Sequence, residues 1–168
     1  MSLSMPSAEL VDQLDDHGAV VGAVTRREMR ANNLRHRSVA VVVVSSRHEV
    51  LVHRRADWKD VWPARWDLAF GGVVGAGEAW EDAAQRELAE EAGISVPLEY
   101  LGEDTFADDQ VRELARVYLA RCDGPFTHAD GEVTETAWVP LDGLAAWVAA
   151  HPLCPDTVAV VLPRLNTP

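Results

Sequence analysis

Cysteine is scarce in this chain, with only Cys122 and Cys154. Two cysteines make no disulfide framework, and no matching His/Cys set turns them into a zinc site. A reducing, cytoplasmic setting is therefore expected. Long apolar stretches are missing as well. The valine-rich run over residues 39–44 is six residues, far short of the ~20 that cross a bilayer as a helix. The opening MSLSMPSAEL has no basic region followed by an apolar one, so neither a signal peptide nor a membrane partner is expected. Basic residues are outnumbered, 15 against 27 acidic, for a net charge of −12. That balance argues against general nucleic-acid binding. There is no internal repeat and no dividing linker, so the 168 residues read as one domain, 1–168. Residues 1–7 are expected to be disordered.

The few basic residues are not spread evenly. Residues 25–65 hold ten Arg/Lys and four Asp/Glu, while the rest is strongly acidic. A basic segment inside an acidic chain suits an anionic, phosphate-bearing substrate, with the acidic part left to hold a cation. Arg54 and Arg55 lie in this segment and are candidate substrate contacts. His36, between Arg35 and Arg37, is a candidate phosphate contact. Trp58, between Asp57 and Lys59, is a candidate stacking surface for a base. Trp62 and Trp66 read as packed at a strand entrance. His53 follows strand alternation and reads as structural.

Apolar periodicity and turn residues outline the elements. Residues 9–35 read as a hairpin around the turn at 15–18, then a short helix. Thr25 and Glu28 have the spacing of a capping box, and the helix should end near Ala31. Strands are expected over 39–45 and 49–54, the first buried on both faces. A Trp-rich loop covers 56–65, and one strand covers 66–74. A helix should run over 79–92, ended by Gly93 in a left-handed conformation. Strands follow near 96–102, 111–121 and 133–139, and helices near 141–150 and 156–165. Irregular alternation of this kind builds a mixed sheet between helical layers.

The most informative stretch is 72–94, GVVGAGEAWEDAAQRELAEEAGI. The loop GGVVGAG over 71–77 has four glycines, which permit close backbone approach to a metal or phosphate. On the helix that follows, Glu87, Glu90 and Glu91 are three and four apart, so their carboxylates share one face. Such a cluster repels itself, and a bound divalent cation removes the penalty. Arg86 can pair with Glu90 four residues on, or reach back to Glu78.

Gly72, Glu78 and the run Arg86-Glu87-Leu88-x-Glu90-Glu91-x-Gly93-Ile94 together resemble the Nudix box, with every position filled. The resemblance implies hydrolysis of nucleoside diphosphates linked to another moiety, on an α/β/α sandwich with a mixed β-sheet, here carrying the N-terminal β-hairpin and short helix. It implies Mg²⁺ or Mn²⁺ held by Glu87, Glu90 and Glu91, with a backbone carbonyl from Gly72. Glu78 and Arg86 become the orienting pair. Water attacks phosphorus, and the general base is Glu87, or Glu132 or Glu135 in GEVTE, or Glu113. The implied partner is a small nucleoside diphosphate-type substrate, bound by a monomer or homodimer.

The stretches VGAVTRREMRANNLRHR, VHRRA, WPARWDLAFGGVV and DGEVTETAWV are similar to a bacterial Nudix branch near type 1 isopentenyl-diphosphate isomerase. His36 and Glu113 fall near that enzyme's metal or acid positions. However, Gly71 stands where the isomerase has its cysteine, and the Nudix box is intact. Isomerisation and non-catalytic nucleotide binding are thus the alternatives to hydrolysis.

Overall fold

The computed structural model describes residues 9–165. The disorder expected for residues 1–7 lies outside the described residues. Strands β1 (Leu10–Leu14) and β2 (Val20–Thr25) form an antiparallel hairpin. Helix α1 (Arg26–Ala31) follows without a break. Its capping box is complete: the Glu28 amide donates to Thr25 Oγ1 at 3.1 Å, and the Thr25 amide donates to Glu28 Oε2 at 3.0 Å. Two of the orphan amides of the first turn are thereby satisfied.

The main sheet holds β3 (Arg35–Val44), β4 (Glu49–Arg55), β5 (Trp66–Asp67), β6 (Phe70–Val73), β7 (Leu98–Ala107), β8 (Arg112–Arg121) and β9 (Val133–Pro140). The β3–β8 pair is parallel along ten residues and the other pairs are antiparallel, which makes the sheet mixed. β3 and β4 meet only at Val44 and Val50. Beyond that point they part: β6 pairs with β3, while β5 and β9 flank β4.

Both faces of the sheet are covered. In β3, Val39, Val41 and Val43 pack with Ala83, Ala84, Leu88 and Ala92 of α2 (Trp80–Ala92). Val42 and Val44 face the other way, against Leu144 of α3 (Leu144–Ala150) and Val160 and Val161. Burial on both faces is what an unbroken valine run predicts. Each such side chain contributes about 1.5–3 kcal/mol. The described residues end in a π-helical turn over Thr157–Val161 and a last turn, α4 (Leu162–Leu165).

Several boundaries differ from the sequence reading. β3 starts at Arg35 because the parallel pairing with β8 runs back to Arg112, a long-range contact that periodicity does not report. The single strand expected over 66–74 is two, β5 and β6, pairing with different partners. The strand expected over 96–102 runs over Leu98–Ala107, extended by its pairing with β8. The helix expected over 141–150 opens as a 3₁₀ turn, Leu141–Gly143. Among the described residues, no helix is long and apolar enough to cross a membrane.

Candidate active site

The glycine-rich loop joins β6 to α2 and is held from three sides. Arg86 grips Glu78 with two bonds, Nε to Oε2 and Nη2 to Oε1, both 2.9 Å. Glu78 Oε1 also accepts from the Gly75 amide at 3.0 Å. From beneath, Arg37 of β3 donates to the carbonyls of Glu78 and Gly75 and to Asp12 of the hairpin at 2.9 Å. Asp12 also accepts from the Gly77 amide at 3.1 Å. Arg86 and Glu78 thus orient the loop, and Asp12 and Arg37, which the sequence reading did not single out, fasten it to the N-terminal hairpin.

Close packing then brings the helix carboxylates onto β6. A β-carbon on Gly72 would come within 2.6 Å of Glu87 Oε1, so the glycine makes room for that carboxylate. The Gly71 amide donates to Glu91 Oε2 at 3.1 Å. Glu87 and Glu91 are buried, whereas Glu90 is exposed and pairs with Arg86 at 3.5 Å. Arg86 Nη1 also donates to Glu87 Oε1 at 2.7 Å.

The segment between β8 and β9 completes the cluster. Thr127 donates its amide to Ala92 at 3.0 Å, and a ring nitrogen of His128 lies 2.6 Å from the Glu91 carbonyl. Gly93 is left-handed, φ 68°, and a β-carbon there would overlap Thr127 Oγ1. Docked this way, the segment brings Asp130 and Glu132 to Glu91; one oxygen from each of the three lies within 4.8 Å of the others. Glu132 hydrogen-bonds Glu91 and pairs with Lys59 Nζ at 3.1 Å.

Burial and mutual repulsion set the protonation of this cluster. Burial pushes Glu87 up to about 7, against the pull of Arg86. Burial, then the Glu87 charge and the Glu132 hydrogen bond, push Glu91 well above the carboxylate range. Burial also raises Glu132, but Lys59 and the bond to Glu91 outweigh it and hold Glu132 below its ordinary value. The proton shared by the pair therefore rests on Glu91. Buried carboxylates this crowded, with oxygen-only donors, fit a hard divalent cation.

A cavity of about 90 Å³ opens beside Glu91, Gly71 and Gly72. Its lining includes Arg26, Arg30, Arg55 and Lys59, then His36, Glu113 and Asp156. Burial pushes His36 down to about 4, and its Nδ1 lies 2.9 Å from the Leu34 carbonyl, so it lines the cavity as a neutral ring. Burial raises both Glu113 and Asp156, which hydrogen-bond each other. Several other candidates fall elsewhere. Arg54 is exposed, donates to the Ala64 carbonyl at 3.0 Å, and is not in the lining. Glu135 is exposed and opposite Arg54 in the β4–β9 register, outside the acidic cluster. Alternation explains both: Arg55 and Arg54 point to opposite faces of β4. Trp58 is 62% exposed, while Trp62 is buried against Phe106 and Trp66 packs on Trp147. His53 is buried and stacked on Phe70. Asp130 and Lys59 were not anticipated. Their only sequence signal is proximity to GEVTE and to Trp58.

Comparisons with known proteins agree with this geometry. The profile of the NUDIX domain matches residues 34–157. The Nudix hydrolase YfcD of Escherichia coli is 35% identical over 143 residues, covering 84% of this chain and 79% of that protein. The crystal structure of DR0079 from Deinococcus radiodurans superposes with a TM-score of 0.79 at 24% identity, covering 95% and 100% of the two chains. The NUDIX domain of Shewanella oneidensis NrtR, solved with ADP ribose, gives 0.61 at 22% identity, covering 84% and 96%. A complete glycine loop and glutamate helix, a matching domain profile and a closely covering relative place the chain in the Nudix family, as a hydrolase of pyrophosphate bonds.

Proposed function

We propose that the protein is a Mg²⁺-dependent pyrophosphohydrolase, with Mn²⁺ able to substitute. It cleaves the phosphoanhydride of nucleoside di- or triphosphates, or of nucleoside diphosphate derivatives, by water attack on phosphorus. One observation carries this reading. Glu87 and Glu91 lie over Gly71 and Gly72, Glu132 and Asp130 close on Glu91, and a cavity lined with arginine and lysine opens beside them. The complex of the Shewanella domain with ADP ribose supports a nucleotide-derived substrate. Two free cysteines suit a reducing, cytoplasmic setting, in which the protein acts as a single domain, monomer or homodimer.

Glu87, Glu90 and Glu91, with the Gly72 carbonyl, would hold the cation, and Asp130 and Glu132 are placed to share it. When bound, the cation neutralises the diphosphate and makes a water acidic enough to attack at neutral pH. The remaining work falls to the protein. Arg86, fixed on Glu78, holds Glu87 in place. Glu132, kept ionised by Lys59, accepts a proton from the attacking water, with Glu87 the second acceptor. Arg55 and Lys59 hold the phosphate oxygens. A cavity of about 90 Å³ takes a phosphate, since one water needs only ~10–15 Å³ of such space. A whole nucleotide does not fit, so the base stays outside, near Trp58.

The finer kinship with the isopentenyl-diphosphate isomerase branch is supported by the hairpin and the WPARW stretch. Hydrolysis is favoured over isomerisation at Gly71. Any β-carbon there would overlap the Val39 carbonyl oxygen, so the position has no room for a thiol. The test is phosphate or pyrophosphate release with Mg²⁺ across nucleoside di- and triphosphates, nucleotide sugars, ADP-ribose and dinucleoside polyphosphates, with isopentenyl diphosphate alongside. At least one nucleotide should be cleaved, and Glu91→Gln should lower kcat by ~10²-fold or more. Dimethylallyl product with no release across the nucleotides would reverse the reading.

A further inference from the structure

Four cations line the cavity: Arg26 and Arg30 from α1, Arg55 from the end of β4, and Lys59 from the loop 56–65. Their hydrogen-bonding capacity is not used up. Arg55 Nη2 donates to the Val61 carbonyl at 3.1 Å, but its Nε is buried without a hydrogen bond. Arg30 has two such atoms, Nε and Nη1. Buried donors are costly to leave unmade, most of all on a charged group.

Asp60 stands against the two cations of α1. Asp60 Oδ2 lies 3.3 Å from Arg30 Nε and 3.9 Å from Arg26 Nη2. The Arg30 contact is an ion pair with some hydrogen-bond character, and it leaves Nη1 without a partner. Burial pushes Asp60 up, but Arg30 and Arg26, then Lys59 and Arg55, outweigh it and hold its carboxyl below the ordinary range. Asp60 is half-exposed and meets the two α1 arginines directly, whereas Lys59 pairs with Glu132. Asp60 belongs to a loop with few internal ties. The Lys59 and Ala64 amides reach the Ala56 carbonyl at 3.4 and 3.3 Å, and Trp62 and Ala64 both have positive φ, 46° and 61°.

We propose that Asp60 is an internal placeholder: its carboxylate occupies an anion subsite formed by Arg26 and Arg30, at the edge of the cavity that Arg55 and Lys59 also line, and a phosphate group of the substrate enters by displacing it. The identity of the anion as phosphate rests on the pyrophosphohydrolase reading; the subsite itself does not. A phosphate brings more oxygens and more charge than one carboxylate, and so satisfies donors that Asp60 leaves open. The placeholder offsets the mutual repulsion of Arg26 and Arg30, and it weakens binding by the fraction of molecules in which it is seated.

The test uses inorganic pyrophosphate and the chelator-treated full chain, so that binding is read without hydrolysis. By titration calorimetry, Asp60→Asn should bind pyrophosphate about fivefold tighter or more than wild type. Arg30→Gln should bind at least about tenfold more weakly. In the double variant Asp60→Asn should give no gain. Asp60→Glu, which keeps the charge, should stay within about twofold of wild type. With a cleaved substrate in hand, Asp60→Asn should lower KM. Unchanged or weaker pyrophosphate binding in Asp60→Asn would overturn the proposal, as would equal tightening in Asp60→Asn and Asp60→Glu. Neither result touches the hydrolysis reading, and absence of hydrolysis would leave these binding results standing.

Discussion

Gly71 and Gly72 are adjacent, yet they are glycines for different reasons. A β-carbon at Gly72 would meet the far end of a side chain, the Glu87 carboxylate at 2.6 Å. At Gly71 it would meet backbone, the Val39 carbonyl across the β3–β6 pair. A side-chain terminus can swing aside, and a paired backbone carbonyl cannot. Gly72→Ala should therefore fold with Tm near that of wild type and lose kcat by about tenfold or more, because Glu87 is pushed off position. Gly71→Ala should lose ~1–3 kcal/mol or more of stability by overpacking, read as a lower urea midpoint. Equal losses of stability in the two variants would show that the distinction is wrong.

At the scale of elements, the N-terminal hairpin is tied to the glycine loop. Asp12 and Arg37 are nearly buried, with side chains 13% and 11% exposed, and together they tie β1, β3 and the glycine loop. Removing one member leaves the other charge without its partner, which costs about 3–5 kcal/mol in a buried pair. Arg37→Ala should thus lower stability, and the glycine loop should gain amide hydrogen exchange at Gly75 and Gly77. Protection unchanged at both amides would detach the hairpin from the site. The loop 56–65 acts as a second device. Trp58 stands exposed at its tip while Trp62 anchors it against Phe106. Trp58→Ala should raise KM for nucleotides more than it lowers kcat, because stacking worth ~1–3 kcal/mol is felt about equally in ground and transition states. An unchanged KM would make Trp58 plain surface.

For the whole molecule, the costliest part of the acidic excess is the buried pair Glu87 and Glu91. Glu87, raised to about 7, and Glu91, raised further, keep protons that ordinary carboxylates have lost. A group raised on folding stabilises the metal-free fold most below the unfolded carboxylate range, and this contribution is lost as pH rises through about 7. A divalent cation must displace the same protons. Its affinity should therefore rise with pH up to and through about 7, by about tenfold per unit for each proton released. Mn²⁺ titrations from pH 5.5 to 8 should show that slope, and calorimetry in buffers of different ionisation enthalpy should show the released protons. Chelator should abolish hydrolysis and Mg²⁺ should restore it. A flat affinity profile would mean that Glu87 and Glu91 are ionised before the cation arrives.

The sequence alone determined what is local. The capping box at Thr25, the left-handed stop at Gly93, the two-faced valine strand and the carboxylate stripe on α2 follow from neighbouring residues and from fixed periods of 3.6 and 2. The Nudix box was legible because all its residues sit on one loop and one helix. Tertiary structure alone decided which distant groups join them. Asp130 and Glu132 reach Glu91 because the β8–β9 segment docks on the end of α2. Alternation separates Arg54 from Arg55, but only the packing around β4 decides that the Arg55 face borders the cavity. Asp60, in the loop after β4, meets Arg26 and Arg30 of α1 from a distant part of the chain. No sequence period spans these separations; they are fixed by pairing and packing between strands far apart in the chain.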